Sequence, residues 1–248
     1  MPHKTSDPAN RLLASLPDKD YQRFISGCEE VNLEFGKILS EAKDCIHYVY
    51  FPIKSYISQT TAIDEHDSLG VGMIGDEGML GISLILGINH SPLRALVQGP
   101  GTALRMSAER FRHELEQSSV LKHDLDRYLY AVMGQLEQTA ACIRFHVVEA
   151  RLARWLLMTL DRAHSNEFHI THELLASMLG VRRVGITKAA SDLQHRKLIS
   201  YKRGAITVLD HLGLEAASCG CYEADKSIYQ KMMTTSDDTL QSFPETQS

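Results

Sequence analysis

No apolar run in the chain approaches the roughly 20 residues that a membrane-spanning helix needs, and LGISLILGI at residues 80–88 is far too short. The N-terminal MPHKTSDPANRLL lacks the apolar core of an export signal. Nor is there a disulfide framework: the five cysteines are an odd set, scattered at 28, 45, 142, 219 and 221. Together these absences lead to the expectation of a cytoplasmic protein in a reducing compartment, with no membrane partner. Twelve histidines are present, but no HExxH spacing arms them for a metal. Gly70, Gly72, Gly75, Gly78, Gly81 and Gly87 lack the strand-to-helix context and the lysine of a phosphate-binding loop, and read as turns between strands. Asp76 and Glu77 sit side by side on a turn, a poor geometry for a catalytic carboxylate pair, and no Ser/His/Asp order suggests a nucleophile. No enzyme is expected.

What is present is a contrast of charge. The whole chain carries a formal net charge of −5 over 248 residues, which argues against non-specific coating of nucleic acid. Within it, residues 181–203 hold seven Lys or Arg (Arg182, Arg183, Lys188, Arg196, Lys197, Lys202, Arg203) against one acid, Asp192. A basic island in an acidic protein implies a polyanionic partner at one place only.

The pattern along the chain predicts an α+β protein. Residues 1–15 are polar with two prolines and are expected to form a flexible tail. Residues 16–118 are expected to form a small antiparallel β-barrel or sandwich. In it VNLEF, HYVYF, SYISQTTAI, SLGVGMI, RALVQ and TALRM alternate with turn signals such as Asp64 to Asp67. Residues 119–146 read as a long helix. On it Leu125, Leu129, Val132, Leu136, Thr139 and Ile143 follow spacings of 4, 3, 4, 3 and 4, a heptad-type seam suited to self-association. Residues 147–221 read as a DNA-binding domain whose core includes the only Trp, Trp155, and residues 222–248 as a polar tail with a helical turn or two at most.

The segment THELLASMLGVRRVGITKAASDLQHRKLISYKRGAITVLD, residues 171–210, reads as helix, turn, helix and β-wing. Thr171 stands where an N-cap is wanted, and Gly180 supplies the positive φ of a helix end. The second helix begins at Val181 and buries Ile186, Ala190 and Leu193. It then presents Arg182, Arg183, Thr187 and Lys188, with Gly185 leaving room for close approach. Side chains near the start of such a helix reach base edges in the major groove, where Arg is the commonest reader of guanine. Lys202 and Arg203, at the hairpin tip beside Gly204, are placed to grip the DNA backbone.

With these motifs and IGDEGMLGISLILG, the chain resembles the Crp/Fnr family of bacterial transcription regulators over residues 15–215. The resemblance implies a cyclic-nucleotide-binding-like barrel as the sensor domain at residues 16–118, a long dimerisation helix and a C-terminal winged helix-turn-helix. It further implies a homodimer, a pseudo-palindromic operator in double-stranded DNA and control through RNA polymerase. The family's ligand pocket would fall at Gly78, Met79, Leu80, Ser91 and Arg94. The residues there depart from the family pattern. Gly78-Met79-Leu80-Gly81 replaces a Gly-Glu-Leu segment, and Ser91-Pro92 replaces the Arg-Ser pair that holds the cyclic phosphate. Leu136 and Glu137 occupy the place of a Thr-Ser pair on the long helix. A cAMP-type ligand is therefore not expected, since charge-assisted contacts are the strong ones. Val184 replaces the Glu that commonly follows the first base-reading Arg, so the target sequence is not copied from the family's half-sites.

No cofactor is identified. Cys28 and Cys45 stand alone where the family's oxygen sensors cluster cysteines for an iron–sulfur centre. Cys219-Gly220-Cys221, with His211 upstream, offers half of a soft-metal site, but no companion Cys-x-x-Cys completes four ligands, so no metal is expected. Two alternatives stay open: a haem- or redox-sensing variant of the same regulator, and a ligand-binding module that controls a partner protein.

Overall fold

The structure is a computed structural model that describes residues 10–63, 68–202 and 204–234. The chain opens with two short helices, α1 (Arg11–Ala14) and α2 (Asp18–Ser26). The expected tail thus ends earlier than residue 15, for a local reason. Asn10 Oδ1 accepts the amides of Leu12 and Leu13, while its Nδ2 donates to the carbonyls of Pro52 and Gly78 at 2.9 and 3.0 Å. One buried amide therefore caps the helix and ties it to the sheet, and Leu12 and Leu13 enter the core.

Seven strands follow: β1 (Glu29–Leu33), β2 (Ile38–Ser40), β3 (Tyr48–Pro52), β4 (Tyr56–Ala62), β5 (Ser68–Ile74), β6 (Arg94–Gly99) and β7 (Gly101–Ser107). They pair antiparallel as β1-β7-β3 and β2-β6-β4-β5. Leu33, Ile57, Ala95, Val97 and Ala103 from both sheets share one apolar layer. A second core fills the space between β3, the early helices and the next two, α3 (Ala108–Gln117) and α4 (Ser119–Phe145). There Phe24 meets both Phe51 and Phe111 edge to face, with the Phe24 and Phe51 ring centres 5.3 Å apart. The expected turn at residues 64–67 lies outside the described residues.

The 27 residues of α4 span about 40 Å. The break at His146–Val147 separates it from α5 (Val148–Ala163). Then come β8 (Glu167–His169), α6 (His172–Leu179), α7 (Arg183–His195), β9 (Ile199–Lys202), β10 (Ala205–Val208) and α8 (His211–Ala217). The three strands form a small antiparallel sheet in the order β8-β10-β9. Leu152, Leu156, Leu175, Ile186, Leu193, Ile206 and Leu214 make this domain's core, while Trp155 is only half-buried at its edge, 6.4 Å from Phe168.

Over residues 222–234 the expected polar tail is corrected by a four-turn helix, α9 (Cys221–Thr234), which returns to lie along α4, and residues 235–248 lie outside the described residues. Tyr222 and Asp225 are buried on its inner face, Ile228 packs at Gly134, and Tyr229 Oη donates to the Glu77 carbonyl at 2.7 Å. Further contacts join the two domains. Ser68 and Ser177 hydroxyls lie 2.6 Å apart, and a Cβ on Gly70 would sit 2.7 Å from the Met178 carbonyl oxygen, so β5 and α6 touch backbone to backbone. Arg162 and Glu77 form a buried ion pair of 2.7 Å across the same junction. Among the described residues, no helix is long and apolar enough to cross a membrane.

Candidate nucleic-acid interface

The expected helix-turn-helix forms, with its local signals in place. Thr171 Oγ1 accepts the Leu174 amide at 3.2 Å and caps α6. Gly180 ends that helix at φ 59, in the left-handed region, and its N–H returns to α6 carbonyls. α7 starts at Arg183, two residues later than the sequence suggested, with Arg182 extended at the cap. Arg151 donates to the Leu179 carbonyl, the last residue of α6, and so holds the turn against α5.

On α7, Ile186, Ala189, Ala190 and Leu193 are buried, while Arg182, Arg183, Val184, Thr187 and Lys188 are exposed. A Cβ on Gly185 would meet nothing within 4 Å. The fold itself does not demand this glycine, which costs a helix about 1 kcal/mol relative to alanine. What it leaves is a low spot on the exposed face. Arg183 lies 3.9 Å from Glu173, both well exposed.

The wing is fixed to the helices by contacts between residues distant in sequence, which periodicity does not reveal. The His172 ring stacks on Tyr201, 4.3 Å between centres and 14° between planes, and His172 Nδ1 lies 3.1 Å from Thr187 Oγ1. Gln194 Oε1 accepts the Tyr201 amide at 2.9 Å. Burial, and secondarily the nearby Arg183 charge, push the His172 pKa down and favour its neutral form. Lys202 ends β9, exposed, and Gly204 turns the hairpin at φ 84. Arg203 lies outside the described residues. Thr171 caps α6, Arg182, Arg183, Gly185, Thr187 and Lys188 lie at the start or on the open side of α7, and Lys202 is exposed at the end of β9, all within one domain.

The residues expected at a ligand pocket scatter. Leu80 and Ser91 line a cleft of about 470 Å³ with Ser40, Asp44, His47 and Tyr50. Gly78 and Met79 instead pack on Tyr128 of α4, whose Oη lies 3.2 Å from the Met79 amide. Arg94 points outward to Glu41 at 3.3 Å, half-exposed, and is not part of the cleft. Among the described residues no lysine or arginine lines the cleft, and Asp44 and His47 do.

The heptad residues divide among three faces. Leu125 is buried in the subunit's own core and Val132 packs on it. Thr139 and Ile143 face the domain junction beside Arg154 and Met178. Leu136 faces outward beside Tyr130 and Met133, while Leu129 is half-buried. Leu125 therefore serves the chain's own core, since a 3-4 spacing does not distinguish a partner's surface from the helix's own domain, while Leu129, Val132, Leu136, Thr139 and Ile143 keep part of their surface open. Cys219 and Cys221 meet Cys142 and His146 at the end of α4, and His211 instead lies 3.8 Å from Glu215.

Residues 150–217 match the family model described as the Crp-like helix-turn-helix domain. The global nitrogen regulator of Nostoc sp. is 22% identical over 184 residues, covering 71% of this chain and 82% of that protein. The solved structure of FixK2 from Bradyrhizobium japonicum superposes with a TM-score of 0.66 at 11% identity, over 77% of this chain and 98% of that one. A CRP-family transcriptional regulator from Thermus thermophilus gives 0.64 at 15% identity, over 76% and 96%.

Proposed function

We propose that this chain, a DNA-binding transcription regulator of the Crp/Fnr type and not an enzyme, acts as a homodimer on a pseudo-palindromic operator. The two α7 helices then enter major grooves about one helical turn, ~34 Å, apart. The observation that carries this reading is the division of α7 into a buried apolar side and an exposed side of Arg182, Arg183, Thr187 and Lys188 around an unobstructed Gly185. Arg182 and Arg183 read base edges, Lys188 and Lys202 meet phosphates, and the capped start of α6 at Thr171 offers amides to a further phosphate.

Dimerisation is supported by the open side of α4, where Tyr130, Met133 and Leu136 are 61%, 52% and 40% exposed along one helical stripe. Two such helices, paired side by side, would bury those residues. The bound dimer acts on transcription by contact with RNA polymerase. Selection of bound sites from random duplex DNA, followed by native mass measurement of the complex, tests the proposal. Enriched sites with two inverted halves bound by two chains support it. Enrichment of no sequence, or of unpaired half-sites bound by one chain, overturns it.

A further inference from the structure

Four soft or borderline metal ligands converge where α4 ends and α9 begins. Cys142 lies in the last turn of α4 and His146 is the residue that caps it, and Cys219 and Cys221 bracket the glycine of the α8–α9 turn. Their four ligand atoms all lie within 4.8 Å of one another. Cys142 Sγ and Cys219 Sγ are 3.5 Å apart, as are Cys221 Sγ and His146 Nδ1. A tetrahedral zinc ion with bonds of about 2.3 Å to sulfur and 2.0–2.1 Å to nitrogen holds its ligand atoms about 3.5–3.8 Å apart. Two of the pairs already sit at that edge length.

The surroundings suit a cation as well. The three cysteines are buried, and His146 is the most open of the four. Gln138 Nε2 donates to Cys221 Sγ at 2.9 Å, the outer hydrogen bond that orients a thiolate ligand. Arg151 acts electrostatically on both Cys142 and Cys219, while Arg154 is already paired with Asp225. Three thiolates and one divalent ion leave a net single negative charge, which the Arg151 guanidinium offsets. A disulfide is a poorer account. It would join two sulfurs, leaving the third cysteine and the histidine gathered without a reason.

We propose that Cys142, His146, Cys219 and Cys221 form a metal site for Zn²⁺, bound by three thiolates and the Nδ1 of His146. Each thiol that coordinates releases its proton to solvent, and no electron is transferred. The ion takes two ligands from the end of the long helix and two from the turn that follows the DNA-binding domain. It therefore ties the C-terminal end of that domain to the end of α4.

The test uses the full chain, reduced and stripped with a chelator, then titrated with Co²⁺ without oxygen. The site is supported by saturation at one ion per chain, with thiolate-to-cobalt charge-transfer absorption and the intense visible bands of tetrahedral cobalt, bleached by Zn²⁺. Cys142→Ser and Cys219→Ser should abolish those bands, Gln138→Ala should weaken binding by about 10-fold, and Cys28→Ser should leave it unchanged. Alkylation of the wild-type chain covers the case in which the variants fail to fold. In the folded chain, Zn²⁺ should slow alkylation of Cys142, Cys219 and Cys221 well below their rates in the stripped chain and leave the rates of Cys28 and Cys45 unchanged. Weak octahedral cobalt spectra, equal alkylation of all five thiols with and without Zn²⁺, or tetrahedral bands retained by a folded Cys142→Ser/Cys219→Ser chain would each overturn the assignment. So would an iron–sulfur absorption in freshly purified protein that Zn²⁺ does not displace.

Discussion

Two arginine–glutamate pairs of the same chemistry do opposite work in this molecule. Arg162 and Glu77 meet at 2.7 Å across the domain junction, with side chains only 9% and 10% exposed. Arg183 and Glu173 meet at 3.9 Å on the reading face, 71% and 82% exposed. The first pair is committed: both charges have left water, and neither can change partner without leaving the other stranded. The second is screened and weak, so Arg183 can leave its carboxylate at little cost, as the proposed base-reading role requires. Burial, more than residue type, separates a structural cation from a functional one.

The contrast can be broken most easily at the junction. Glu77→Ala leaves the Arg162 guanidinium buried without its anion and should destabilise the fold by about 3–5 kcal/mol, read by denaturant unfolding, while sequence preference on DNA stays as it was. Unchanged stability would mean that the junction does not depend on this pair. On the other side, Arg183→Ala should reverse the pattern. About 1–3 kcal/mol of discrimination between operator and mismatched DNA is lost, while thermal stability and oligomeric state hold. A competition binding assay that finds the preference intact would remove Arg183 from the base-reading group.

Lys202→Ala sharpens the comparison within the exposed class. It should weaken binding to all sequences alike and lower the slope of log affinity against log salt by about one; a sequence-dependent loss would make the wing a base reader. The smallest effect concerns His172. Its pKa is lowered by burial and then by Arg183, so the folded state favours the neutral ring. The corresponding stability is present above the ordinary value of 6.5 and is lost as pH falls from there through the lower, folded-state pKa. Melts taken from neutral into mildly acidic buffer should show a smaller acid loss for His172→Asn than for the wild type, and equal losses would contradict the assignment.

Much of the reading face was legible because its parts are local. A capping Thr171, a turning Gly180 and a basic stripe on one helix lie within twenty residues, where periodicity and sign of charge are enough. The strands of the N-terminal domain were legible for the same reason. The short β2 (Ile38–Ser40) was missed because three residues carry no period. α9 was hidden by Asp225, an acid on its buried face whose position makes sense only once Arg154 is seen across from it at the junction. The Cys–His cluster was half visible as Cys219-Gly220-Cys221. Its companions Cys142 and His146 are 77 and 75 residues away from their nearest partners in the cluster, and only the fold joins them. The i, i+4 spacing of Cys142 and His146 at the end of one helix was the signal available.

The return of α9 to α4 has a mechanical consequence. A domain hung on a single α4–α5 link could swing and spin like a ball on a tether. Here the chain passes from α4 into α5, closes the DNA-binding domain with α8, and comes back along α4 as far as the Glu77 carbonyl. With two moorings side by side, and Arg162–Glu77 and Ser68–Ser177 clamping the faces between them, the domain is braced like a shelf on two brackets, and these contacts must break before it can turn.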